Sequence, residues 1–432
     1  MKICVFGLWH LGTITSACLA ERGFDVIGLD LNNNTIKKLN EGIAPLFEPE
    51  LENLIEKNLK SGNLKFTSNP QSAIEDADML WVTFDTPVDE NDKADSDYVF
   101  NNIKNVLNFL KSNTGIIVSS QVPVGFTRRI EREFQKINKN KTVFFAYSPE
   151  NLRLGKAIKV FNSPYRILIG IRKESDKLFF RPFFEKFSRN LIWMRVESAE
   201  MTKHAINAFL ALSITFINEI ASLCEFLGAD AREVEIGLKS EERIGEKAYL
   251  KPGAPFAGGT LARDINFLNT FSKEYGLPSY LLNGINKSNK FHKTWVQRKI
   301  RQNFENLDNK RFLIIGLTYK EGTSTLRRSL SIELINWLIK ERAEIDAYDP
   351  EIFKLPRYLN KKVKLIKNID QVIKYTDCLI IMTGKSDFLK KIDLHFINAM
   401  KNKIIIDANG LLEDKVINDP EVHYFKVGKQ NL

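Results

Sequence analysis

Lys2-Ile3-Cys4-Val5-Phe6-Gly7-Leu8-Trp9-His10-Leu11-Gly12 opens the chain. A helical pattern then runs through Ala20, Gly23 closes it, and Asp25-Val26-Ile27-Gly28-Leu29 leads to Asp30. This is strand, glycine turn, helix, strand and acid, in the order a dinucleotide-binding fold requires. The first glycine makes the tight turn, and the last lets helix and strand approach closely. The helix N-terminus faces a pyrophosphate. Asp30 is placed to accept hydrogen bonds from ribose hydroxyls. Its charge repels a 2′-phosphate and no arginine follows it, so NAD is expected rather than NADP. Trp9 stands where the middle glycine usually sits, so its ring must point away from the phosphates.

The same unit continues with buried-strand patterns at 79–84, 115–119, 142–147, 166–169 and 191–194. The first three run into polar loops: Asp85-Thr86-Pro87, Ser120-Gln121-Val122-Pro123-Val124-Gly125, and Ser148-Pro149-Glu150-Asn151-Leu152-Arg153. In a parallel sheet the ligand lies beyond the carboxyl ends of the strands, so these loops can line one site. A second α/β unit begins at 310–315 and continues at 345–348, 378–382 and 404–406, with Asp349 and Asp407 after two of its strands. Its first turn, Gly316 to Gly322, lacks the dinucleotide fingerprint. Lys320 in that turn can reach a diphosphate as a point charge.

Between the two units, residues 197–228 carry no Gly or Pro before Gly228. Ser198 is a candidate N-cap and Gly228 a candidate stop. Met201, Ile206, Phe209, Leu210, Ile214, Phe216, Ile217, Ile220, Leu223 and Leu227 cover more than one face, the pattern of a helix buried on most sides. Lys203 and Asn207 lie one turn apart on one face. Read alone, such a pair is an ordinary helix surface pair. The expected architecture is therefore α/β: two Rossmann-like doubly wound domains joined by a long central helix and a helical dimerisation segment. The domains expected are residues 1–197, 198–304 and 305–432.

Composition excludes several classes. The chain has 432 residues and a formal charge of +10, but its lysines are spread along its length, so no nucleic-acid partner is expected. No run of about 18 apolar residues is evident, so no membrane span is expected. The four cysteines are too far apart for a disulfide framework or a zinc site. Buried reduced thiols, a cytoplasmic location and no metal are the reading.

Taken in order, these residues resemble the UDP-glucose/GDP-mannose (nucleotide-sugar) dehydrogenase family over nearly the whole chain. The likeness includes Gly7 to Gly12, Asp30, Asp85-Thr86-Pro87, Val122-Pro123-Val124-Gly125, Pro149 to Arg153 and Ala199-Glu200 through Lys203 to Asn207-Ala208-Phe209. It continues through Arg243-Ile244-Gly245, Pro252-Gly253, Phe256, Gly258, Asp264, Gly316-Leu317, Lys320 and Arg327. The resemblance implies an NAD site at Gly7, Trp9, His10, Leu11, Gly12, Asp30, Thr86, Gln121, Glu150, Arg263 and Arg327. It implies a nucleotide-sugar site, UDP by default, at Leu152, Lys203, Asn207, Arg243, Tyr249, Lys251, Gly253, Phe256, Gly258 and Lys320. Arg243 would reach in from a partner subunit, and the central helix would form a homodimer.

Family members usually oxidise a sugar alcohol to a carboxylate in two hydride transfers, through a cysteine thioester. Their loop reads Phe-Gly-Gly-Ser-Cys-Phe-Pro-Lys-Asp. Here it reads Phe256-Ala257-Gly258-Gly259-Thr260-Leu261-Ala262-Arg263-Asp264. Thr260 takes the nucleophile's place, and Gln121 replaces the family threonine before Val-Pro. A hydroxyl is far less acidic than a thiol and is a poor nucleophile without its own base, so hydrogen bonding is the role expected of Thr260. Lys203, Asn207, Asp264, Glu150 and Thr260 are the catalytic candidates. They suffice for one hydride transfer. Four-electron oxidation through an aldehyde hydrate, or a homologue that binds nucleotide sugars without turnover, stand as alternatives.

Overall fold

In the computed structural model, residues 1–89, 94–150, 152–257, 259–319, 325–384, 389–416 and 419–430 are described. The chain divides into two compact units, Met1–Ile206 and Asn207–Leu432.

The first unit holds an eight-stranded sheet. Its strands are β1 (Lys2–Phe6), β2 (Asp25–Leu29), β3 (Leu64–Thr67), β4 (Met79–Val82), β5 (Thr114–Val118), β6 (Val143–Tyr147), β7 (Ile167–Ile171) and β8 (Leu191–Arg195), in the order β3-β2-β1-β4-β5-β6-β7-β8. β1 to β6 are parallel. β7 reverses against β6, and β8 runs parallel to β7. Side chains alternate across a strand, so β1 feeds two cores: Ile3 and Val5 enter one, Cys4 and Phe6 the other. Burial on both faces is why the inner strands read as continuous apolar runs.

The second unit repeats the plan with β9 (Arg311–Ile315), β10 (Glu344–Tyr348), β11 (Lys364–Leu365), β12 (Cys378–Ile381), β13 (Ile404–Asp407) and β14 (His423–Phe425). Its order is β11-β10-β9-β12-β13-β14, parallel throughout. Phe312 and Ile314 face one core, Leu313 and Ile315 the other. In both sheets the strand order reverses beside the first strand of the unit, at the switch point where such folds bind ligands.

The long helix spans Val196–Leu227. It starts three residues earlier than an N-cap at Ser198 implies, because β8 runs straight into it. Ser198 is thus inside the helix, where its carbonyl accepts from Thr202 Oγ1 at 2.7 Å, and it is not the N-cap. The expectation of burial on most sides is also corrected: Phe209, Phe216, Leu223, Phe226 and Leu227 are exposed. Its buried face mixes small residues with larger ones: Ala199, Ala208, Ala211 and Ala221 join the cores of the units they lie in, and Val196, Ile217 and Cys224 are buried as well. By length and composition alone this helix could cross a membrane, although charged residues such as Lys203, Glu219 and Glu225 interrupt its apolar run.

Candidate active site

The glycine turn after β1 is fixed by close approach. Gly7 has a left-handed backbone (φ 97°), and an added Cβ would lie 2.8 Å from the Phe84 ring and 2.9 Å from the Phe84 nitrogen. At Gly12 an added Cβ would sit 1.9 Å from the Gly7 carbonyl oxygen. Only glycine lets the first helix (His10–Glu21) lie this near the turn. That helix has no side-chain cap from Trp9 and no acid in its first turn, so its N-terminal amides are left to an anion. Trp9 is half exposed, as its position in place of a glycine demands. Leu8 N donates to Asp30 Oδ2 and Asn32 N to Asp30 Oδ1, both at 2.9 Å. Each oxygen keeps acceptor capacity for a ribose hydroxyl. Leu11 is partly buried beside His10.

The loops beyond β4, β5 and β6 are tied together. Thr86 Oγ1 donates to the Gln121 carbonyl at 2.6 Å, and both residues are buried. The long helix grips the other two loops with three residues of its first turns. Glu200, fully buried, accepts from Gly125 N at 2.6 Å, Thr127 N at 2.9 Å and Thr127 Oγ1 at 2.7 Å. It thereby caps the helix Phe126–Ile137, whose own N-cap residue Gly125 has no side chain to offer. Burial pushes the Glu200 carboxyl above the usual carboxylate range, against the pull of the bonds from Thr127 and Gly125. His204 Nε2 donates to the Val122 carbonyl at 3.0 Å. Lys203 Nζ donates to the Glu150 carbonyl at 2.6 Å and lies 3.6 Å from Glu150 Oε1. Glu150 Oε2 in turn accepts from Leu152 N at 2.6 Å.

In the second unit, Asn207 Nδ2 donates to Asp264 Oδ2, and both residues are buried. Asp264 lies one turn into the helix Thr260–Glu274, with Arg263 buried next to it. Thr260 is the first residue of that helix and is exposed. The preceding loop is pinned by side-chain amides. Asn218 Oδ1 accepts from Gly253 N at 3.0 Å, Asn409 Oδ1 from Ala254 N at 3.0 Å and Asn289 Oδ1 from Phe256 N at 3.1 Å. His292 Nε2 donates to the Gly253 carbonyl at 2.9 Å, and burial lowers the basicity of its ring. Gly253 and Phe256 are buried, while Tyr249 and Lys251 are exposed.

Models of one family match three stretches of the chain. Its NAD binding domain covers residues 1–188, its central domain 197–291 and its UDP binding domain 313–414. The chain belongs to the UDP-glucose/GDP-mannose dehydrogenase family. It is 30% identical to the UDP-glucose 6-dehydrogenase TuaD of Bacillus subtilis, with 99% of this chain and 93% of that protein covered. It is also 30% identical to the UDP-glucose 6-dehydrogenase of Rickettsia prowazekii, with 100% of each covered. A UDP-glucose dehydrogenase from the archaeon Pyrobaculum islandicum matches its structure with a TM-score of 0.89 at 25% identity, over 99% of this chain and 98% of that one.

As a member of this family the chain is an NAD-dependent oxidoreductase acting on the CH–OH of a nucleotide sugar. Its glycine turn fits the cofactor, since a Cβ at Gly7 or Gly12 would fill the cradle. Of the expected site residues, the first unit brings Lys203, Glu150 and Leu152 together, and Thr86 with Gln121. The second brings Asn207 to Asp264. Arg243 is exposed and paired with Glu241 at 2.7 Å, and Arg327 is exposed before the helix Leu330–Lys340. Gly258 and Lys320 lie outside the described residues.

This dehydrogenase keeps all four cysteines, Cys4, Cys18, Cys224 and Cys378, buried as free thiols. Burial pushes the Cys18 thiol up to about 12 and raises the other three as well. None has the lowered pKa and access that mark a nucleophile. Glu200 lies in the stretch that carries the family resemblance, but the sequence alone assigns neither it nor His204 a role at the site. Asn218, Asn289, His292 and Asn409 were missed, since an amide that serves a distant loop leaves no local pattern.

Proposed function

We propose that this chain is a UDP-sugar dehydrogenase that carries out one hydride transfer and releases a carbonyl sugar. The observation that carries the reading is that no cysteine is available: all four are walled into cores, while a threonine hydroxyl opens the helix that bears Asp264. A thioester cannot form without a thiolate, so the aldehyde or ketone is the natural end of the reaction. UDP is supported by the UDP binding domain match over residues 313–414 and by the names of the curated relatives.

Gly7, Gly12, the amides at the start of the first helix and Asp30 would hold NAD, with Trp9, His10, Leu11, Thr86, Gln121, Glu150, Arg263 and Arg327 completing that role. Bound NAD supplies the hydride acceptor. Lys203 acts as the neutral amine and takes the hydroxyl proton as the C–H bond breaks; the ammonium so formed, held by the Glu150 carbonyl, passes that proton to the Glu150 carboxylate 3.6 Å away, which returns it to solvent. Asn207, fixed by Asp264, orients the sugar hydroxyl. Leu152, Arg243, Tyr249, Lys251, Gly253, Phe256, Gly258 and Lys320 bind the nucleotide sugar. Thr260 donates a hydrogen bond rather than attacking. The domains divide at residues 1–197, 198–304 and 305–432, in a cytoplasmic homodimer. The dimer is supported by Phe209, Phe216 and Leu223, which recur every seventh residue on the long helix and are exposed.

Counting NADH formed per UDP-sugar consumed tests this reading. One equivalent with a hydrazine-trappable carbonyl is expected, and two equivalents with a uronate product overturn it. Lys203→Ala is expected to lower kcat by roughly 100-fold or more.

A further inference from the structure

We propose that Glu48 is a positioning residue that locks the cofactor turn to the loop carrying Glu150. Glu48 lies between the helices Asn33–Asn40 and Leu51–Ser61, and its side chain is 1% exposed. Its Oε1 accepts from Ala157 N at 2.7 Å, and its Oε2 accepts from Gly155 N at 2.8 Å and from His10 Nε2 at 3.1 Å. Two of these partners can only donate, and the third donates in the tautomer a carboxylate selects. The chain turns sharply just afterwards, at Glu50, whose backbone is left-handed (φ 66°).

The three partners belong to two working parts. His10 is the first residue of the helix His10–Glu21, whose uncapped N-terminus is assigned to the pyrophosphate of NAD. Gly155 and Ala157 end the loop that holds Glu150 and Leu152, and Lys203 docks on the Glu150 carbonyl. The helix Ala157–Asn162 has no side-chain cap of its own, so Glu48 supplies its acceptor from more than a hundred residues away. One carboxylate therefore fixes the position of the pyrophosphate turn and of the lysine's anchor at once. In this proposal Glu48 acts through His10 and the Gly155–Ala157 turn and not on NAD or sugar directly.

Glu48→Gln keeps the volume but turns an NH2 group toward a backbone donor. In the full-length chain, titrated with NAD and assayed with UDP-glucose, it is expected to weaken NAD binding about tenfold. kcat should fall as well, with the KM for UDP-glucose within twofold and the far-UV spectrum unchanged. His10→Gln should weaken NAD binding too, and the double variant should be no weaker than the worse single variant. A folded E48Q whose NAD affinity is within twofold of the unaltered chain overturns the proposal, and so do fully additive effects. If E48Q does not fold, a folded H10Q with full NAD affinity overturns it. The proposal rests on assigning the glycine turn to NAD. An unaltered chain that binds no NAD would remove that assignment, whereas normal binding with silent variants removes only the role of Glu48.

Discussion

The two α/β units share a strand order and a joint, yet only one is built as a dinucleotide site. Each first strand ends in a left-handed glycine, Gly7 or Gly316, whose nitrogen bonds the end of the neighbouring strand at 2.9 Å. Each glycine is pressed from the far side of the switch point, by Phe84 in one unit and by Thr383 in the other. The next steps differ. In the first unit the helix begins at His10, uncapped, and the acid Asp30 is partly exposed with one bond to the turn. In the second unit the next helix among the described residues begins at Leu330 and is capped by Ser329, whose side chain accepts from Ser331 N. Its acid, Asp349, is buried and takes Leu317 N at 2.7 Å, Thr318 N at 3.1 Å and Glu351 N at 2.9 Å. The joint is a requirement of the fold. The open helix end and the acid with spare acceptors are the requirements of the ligand.

Gly12→Ala should break that comparison most severely. With a methyl group aimed at the Gly7 carbonyl, NAD affinity is expected to fall by roughly 100-fold or more, while UDP binding persists. Titration calorimetry with each ligand checks it, and retained NAD affinity would show that the helix has room to move. The two acids sharpen the contrast. Asp349→Ala strips buried turn amides of their acceptor and should destabilise the second unit by about 2–3 kcal/mol in denaturant melts, with NAD affinity unchanged. Asp30→Ala should do the reverse, weakening NAD about tenfold with a smaller loss of stability. If the two variants behaved alike, the division between structural and ligand-facing acid would fail. Ser329→Ala has the smallest effect, about 1 kcal/mol from a lost cap, and no change in NAD titration.

How much of this was legible in the sequence follows from where each signal resides. The inner strands were found to within two residues, because burial on both faces makes them continuous apolar runs. β3, β11 and β14 were not, because an edge strand is short and half solvated: β3 reads Leu64-Lys65-Phe66-Thr67, with Lys65 exposed. Both switch-point acids were legible, since each directly follows a strand, but their different employment was not. The pairing of Lys203 with Glu150 and of Asn207 with Asp264 could be named as roles and not as contacts. Glu48 gave no signal, because its partners lie as far as 109 positions away along the chain. Glu200 offered only a faint one, since it lies near the start of the long helix with Glu197 three residues before it and Lys203 three after.

The burial of every cysteine has a consequence for how this enzyme tolerates oxidising surroundings. A dehydrogenase whose turnover hangs on a reactive sulfur is silenced by peroxide or an alkylating reagent as soon as that atom is modified. Here Cys4, Cys18, Cys224 and Cys378 sit behind packed side chains with their protons held tightly. On the proposed mechanism, in which Lys203, Asn207 and the carboxylates of Glu150 and Asp264 carry the reaction, such reagents find no essential atom to reach while the fold stays closed.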